Sequence, residues 1–174
     1  MAHPVRKRPP TIVEVLLILL VIGVLAGLTT ARLDRASRAG NEASAIGSLR
    51  AINAAQTIYA SSCGAAGFAQ SLDDLSRPPS GSTQGFVPPD LLSNGVVRNG
   101  YAISIGADNG TTIITPPSRA CNAPKEYLRS GYFASANPVE VGRRTFATDK
   151  RRVIYARDDG EPISPGMYGA VPLP

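Results

Sequence analysis

The sequence predicts an α+β fold in which one long N-terminal helix packs on a small antiparallel β-sheet. Three observations carry this expectation. Residues Thr11 to Ala31 form an apolar run of 21 residues with a single charge, close to the length that crosses a hydrocarbon core as a helix. From Leu33 to Tyr59 apolar residues then recur at three- and four-residue steps, the spacing of one helix face. Beyond residue 100, short segments alternate apolar with small or polar side chains between turn residues, as half-buried strands do. The expected organisation is a basic leader over 1–10, a transmembrane helix over 11–31, its amphipathic continuation over 32–62, a loop region over 63–99, and the sheet with a C-terminal tail over 100–174. A chain of 174 residues has room for one domain and an anchor.

The apolar run organises the rest. Arg6, Lys7 and Arg8 precede it, followed by Pro9 and Pro10, and Glu14 stands three residues inside it. A carboxylate costs a few kcal/mol on helix-insertion scales, so it calls for a reason. Three readings compete: a plain single-pass anchor with Glu14 near the headgroups, a cleavable secretory signal ending near Ala31, or a helix whose carboxylate meets a cation from another copy of the chain. The basic cluster sets a cytoplasmic N-terminus and puts residues 32–174 outside the cytoplasm.

Thr11-Ile12-Val13-Glu14-Val15 and the apolar residues after it resemble the N-terminal segment of type IV pilins and type II secretion pseudopilins. The resemblance covers the first 60 residues well and the last 75 loosely. It implies a pilin-like roll, with residues 11–31 as the filament-core helix and Thr11 and Glu14 as subunit-assembly residues. In that family the glutamate at Glu14's position is thought to offset the N-terminal amine of a neighbouring subunit. The implied partners are other copies of the chain or related pilins, the inner-membrane assembly machinery and membrane lipid. The implied location is the bacterial inner membrane, then a periplasmic or cell-surface filament. The leader junction departs from the family pattern, with Pro9-Pro10 where the family has Gly before a methylated Phe. A Pro-Pro bond suits few peptidases, so the leader is expected to be retained or removed inefficiently, its Arg6, Lys7 or Arg8 then supplying the cation for a neighbour's Glu14.

The remaining elements follow in order. ARLDRASRAGNEASAIGSLRAINAAQTIYASS contains no proline and is rich in helix formers, which continues the helix from the apolar run to about residue 61. Asp34 and Arg38 are spaced as a favourable i,i+4 pair. Cys63-Gly64-Ala65-Ala66-Gly67 ends the helix, and residues 76–89 read as a surface connector, with short helical turns expected at 71–75 and 89–92. Residues 100–105 and 111–115 are expected to pair as a hairpin around Asp108-Asn109-Gly110, and 144–149 with 152–156 around Lys150-Arg151. Residues 132–134 add a short strand, for a sheet of about four.

Several chemistries have no support. The only histidine, His3, lies in the leader, so neither a Ser-His-Asp nor a Cys-His arrangement can be assembled beyond it. No phosphate-binding glycine loop or zinc pattern is present, and no cofactor is expected. Asp149, Asp158, Asp159 and Glu161 could ligate calcium, but their spacing fits a solvated acidic turn better, so no metal site is expected. Arg6, Lys7 and Arg8 supply three of the five net positive charges, leaving too little to argue for nucleic acid. Cys63 and Cys121, outside the cytoplasm in a loop-rich domain, are expected to pair. The chain thus reads as a structural subunit and not an enzyme, with a monomeric, membrane-anchored extracytoplasmic binding domain as the alternative.

Overall fold

The computed structural model of the chain describes residues 11–140 and 143–174, without the side chains of residues 24–32. The leader residues Arg6, Lys7, Arg8, Pro9 and Pro10 lie outside the described residues. Helix α1 runs Ile12–Ser62 and α2 Leu72–Ser76. Among the described residues eight strands follow: β1 Val96–Arg98, β2 Tyr101–Gly106, β3 Ile113–Thr115, β4 Leu128–Arg129, β5 Phe133–Pro138, β6 Thr145–Asp149, β7 Ile154–Arg157 and β8 Val171–Pro172. A single 3₁₀ turn, Pro117–Arg119, lies between β3 and β4. The chain divides into two compact units, with the boundary between Gly40 and Asn41.

The first unit is helical from Ile12 onward, and its apolar side chains from Ile12 to Ile22 are all exposed. Asp34 and Arg38 form the i,i+4 ion pair at 3.0 Å, with both side chains a little over half exposed, and it is worth a few tenths of a kcal/mol. Leu33, Ala36 and Ala39 stay uncovered within this unit.

In the second unit the helix buries Ala45, Leu49, Ile52, Ala55 and Tyr59 against the sheet. The main sheet is antiparallel throughout, in the order β1-β2-β5-β6-β7-β8. Strand β2 alternates as a half-covered strand should, burying Tyr101, Ile103 and Ile105 on the helix side. Strand β6 is buried at all five positions, so both sheet faces are covered there. The second cover comes from the C-terminal segment, where Ile163 and Met167 pack with Phe133 and Ala147. That segment had been expected to be a tail.

The fold expectation is corrected on three points. Instead of a pilin-like roll with a small sheet of about four strands, the described residues contain eight strands, in a six-stranded and a two-stranded sheet, and among them strands outnumber helices. The transmembrane half is not found: among the described residues no helix is long and apolar enough to cross a membrane. The exposed apolar segment with described side chains, Ile12–Ile22, covers only about 17 Å at 1.5 Å per residue, against a core of roughly 30 Å. Residues 24–32, which would complete the run, have no described side chains.

The third point is the pairing of β2. Its neighbours are β1 and β5, while β3 pairs with β4 in the separate two-stranded sheet. Ile113 and Ile114 are exposed, so β3 has no apolar face to lock it beside β2, whereas β5 brings Ala134 and Ala136 to the core. The 145–157 hairpin does form, with Arg152 N–H donating to the Asp149 carbonyl across its turn. The middle region is more than a surface connector: Leu72, Leu75, Val87 and Leu91 all belong to the core.

Candidate assembly helix and the polar ties of the folded unit

Thr11 precedes the first helical residue, and its hydroxyl oxygen accepts the Glu14 amide at 3.4 Å. Thr11-Ile12-Val13-Glu14 has the spacing of a helix-capping box, a local role for both residues that is distinct from subunit assembly. Glu14 also stands in the first helical turn, where a negative charge complements the helix dipole. Its carboxylate is exposed and stands on a segment carrying ten exposed large apolar side chains between Ile12 and Ile22. The segment is thus an exposed apolar surface with one carboxylate at its start. The other assembly candidates, Arg6, Lys7 and Arg8, fall outside the described residues.

In the folded unit Cys63 and Cys121 are bonded, 58 residues apart in sequence, and Cys121 N–H donates to the Cys63 carbonyl at 3.1 Å. The bond ties the C-terminal end of α1 to the loop before β4. Beside it Asn122 is a polar hub. Its side-chain amide donates to the carbonyls of Asp74 at 2.7 Å and Arg77 at 3.1 Å, and its oxygen accepts from the Tyr59 hydroxyl at 3.0 Å. The buried Asp74 carboxylate accepts the backbone amides of Lys125 at 2.7 Å and Glu126 at 3.3 Å. Gln56 pairs with both backbone groups of Ala69, and Asn53 accepts from Tyr132 at 2.8 Å while donating to Thr148 at 3.1 Å. These side chains replace water for groups that folding buries. None was singled out in the sequence, although Asn53 and Gln56 are polar residues set among the apolar positions of the helix.

The acidic residues considered for calcium do not converge. Asp149 is bonded to Arg151 at 2.6 Å, Asp158 to Arg144 at 2.7 Å and Asp159 to Arg157 at 2.7 Å. The Arg157 side chain holds the Asp159 carboxyl below its usual range, and the Glu161 amide, donating to Asp159 at 3.0 Å, adds to the effect. Among the described residues no group of three or more His, Cys, Asp or Glu side chains could hold a metal ion.

Burial pushes the phenols of Tyr59 and Tyr132 well above their ordinary value near 10, with Asp74 and Asp149 raising them further and Arg77 and Arg152 opposing. Each phenol therefore contributes stability that is complete below about pH 10 and is lost as the pH climbs towards the folded value. Each such tyrosine should add a slope of about 1.4 kcal/mol per pH unit above roughly pH 10. Urea midpoints across that range should fall accordingly, and Tyr132→Phe should flatten the fall by one group's share.

Comparison with family models, with curated proteins and with solved structures finds no match to this chain.

Proposed function

We propose that the chain is a pilin-like structural subunit that polymerises through its apolar N-terminal helix, into a type IV pilus or a type II secretion pseudopilus. The observation that carries this reading is the exposure of every large apolar side chain between Ile12 and Ile22. Burying an exposed leucine or isoleucine is worth roughly 1.5–3 kcal/mol, so bundling such helices from many copies releases a large driving force. The folded unit then forms the outer surface, stabilised by its disulfide. The bond also supports an oxidising compartment for that unit. The location that goes with this reading is the bacterial envelope: the inner membrane before assembly, then the periplasm or cell surface. The partners are further copies or related pilins and the assembly machinery.

Glu14 carries the test. Glu14→Ala removes both the charge and the capping carboxylate, whereas Glu14→Gln keeps the capping-box pattern and removes only the charge. Both variants should accumulate at normal levels, while their amount in sheared surface filaments falls at least about tenfold, since an uncompensated pairing site is costly to bury. Normal filament incorporation of both variants would make Glu14 a helix cap and nothing more. Sheared material without the unmodified chain would overturn the assembly reading itself.

A further inference from the structure

Two adjoining cavities open along the exposed side of α1 in the folded unit. One, of about 420 Å³, is lined by Thr57, Ala60, Ser61, Phe68, Tyr132, Lys150 and Arg152 among others. The second, of about 450 Å³, is lined by Arg50, Asn53, Ala54, Thr57, Ile58 and Arg152. Thr57 and Arg152 line both, so Arg152 stands where they meet. Three cations, Arg50, Lys150 and Arg152, face these cavities, and no lining residue is acidic.

Among the described residues, Arg38, Arg98, Arg143, Arg144, Arg151 and Arg157 each form an ion pair with a carboxylate. Arg50, Lys150 and Arg152 form none there, as is also true of Arg35, Arg77, Arg119, Lys125 and Arg129; the cleft differs in gathering three such cations with no acidic residue in its lining. The carboxylate on their own turn, Asp149, is engaged by Arg151 through its backbone amide and its guanidinium. The ammonium of Lys150 donates only to the Ser130 carbonyl at 3.3 Å, and its stem lies over Gly131, where an added Cβ would sit 3.2 Å from Lys150 Cδ.

Arg152 is also held in an unusual backbone conformation. Its φ is +64°, a left-handed geometry that favours glycine or asparagine. An arginine at this turn position opposes local preference, and strained residues of this kind gather at functional sites. The first cavity has the partly exposed Phe68 ring in its lining, 5.3 Å from the buried Tyr132 ring, whose hydroxyl is turned into the core towards Asn53. Thr57 and Ser61 donate to backbone carbonyls of their own helix, so the donors open to a ligand are the cations.

We propose that this paired cleft is a binding site for a small amphipathic carboxylate, its head between Lys150 and Arg152 and its apolar body against Phe68 and Ala60. Cations set at the rim of a partly apolar cavity select an anion that carries an apolar body over either an inorganic ion or a neutral apolar molecule. Arg50 extends the positive field along the second cavity.

The test titrates the full chain, in nonionic detergent, with phenylacetate and with its neutral isostere phenylacetamide, following backbone amide shifts by NMR. Phenylacetate should give saturable shifts at Thr57, Ser61, Lys150 and Arg152, with phenylacetamide at least about tenfold weaker. Arg152→Asn should weaken phenylacetate binding by about tenfold while leaving the melting temperature equal or higher, because asparagine accepts the left-handed geometry more readily. Lys150→Gln should weaken it similarly. Equal affinity for the neutral isostere, shifts confined to Ile12–Ile22, absence of saturation, or wild-type binding by Arg152→Asn would each overturn the site.

Discussion

Replacing Cys63 and Cys121 together by alanine is expected to lower the melting temperature of the folded unit by roughly 10–15 °C. The two are separated by 58 residues, and the chain-entropy model assigns a loop of that size about 4 kcal/mol of denatured-state destabilisation. A unit that spans Asn41–Pro174 converts each kcal/mol into roughly 3 °C. The native side of the balance changes little on truncation: Cys63 is buried at the helix end, but Cys121 is exposed. The expected loss is therefore largely entropic and should appear as faster, easier unfolding without a rearranged sheet. Differential scanning calorimetry of the double variant measures it. Reducing the unmodified protein, whose Cys121 is open to solvent, measures the same quantity if the variant accumulates poorly. A shift below about 3 °C by both routes would show that the denatured chain gains little freedom when the bridge is lost.

The parts of the fold legible in the sequence are those whose pattern is local. The helix residues Leu49, Ile52, Ala55 and Tyr59 recur at helical steps and bury one face. The β6–β7 hairpin has its strands on either side of a short turn. What was not legible depends on residues far apart. The six-residue strand β5 reads as two or three apolar positions, because Ser135 and Asn137 interrupt it; only its place between β2 and β6 buries Ser135. Strand β8 contains Pro172 and lies at the end of the sheet, the position where proline is tolerated, so no alternating pattern announced it. At the N-terminus the apolar run and Glu14 were plain in the sequence. The capping relation between Thr11 and Glu14 is equally visible in their three-residue spacing. The three cations of the paired cleft come from one helix position and a turn about a hundred residues away, and no local pattern joins them.

The polar ties around Asn122 should be the next most costly to break. Asn122 is 5% exposed and makes three side-chain hydrogen bonds, two donated to Asp74 and Arg77 carbonyls and one accepted from Tyr59. Asn122→Ala removes all three and leaves the buried Tyr59 hydroxyl and two carbonyls to find other partners. At about 1 kcal/mol for each bond, with the further cost of orphaned groups, the loss should be about 3 kcal/mol. Asn122→Asp keeps the shape but turns a donor into an acceptor facing two carbonyl oxygens, so it should destabilise at least as much near neutral pH. Tyr59→Phe removes the partner instead and should cost less, since its ring still fills the same space against Phe86, 5.0 Å away. The two changes share one hydrogen bond, so Asn122→Ala combined with Tyr59→Phe should fall short of the sum of the singles by roughly 0.5–1.5 kcal/mol. Urea denaturation of the four proteins, with the disulfide intact in each, measures the cycle. A cost for Asn122→Ala below about 1 kcal/mol, or strict additivity with Tyr59→Phe, would show that the network fills space without holding the helix end to its loops.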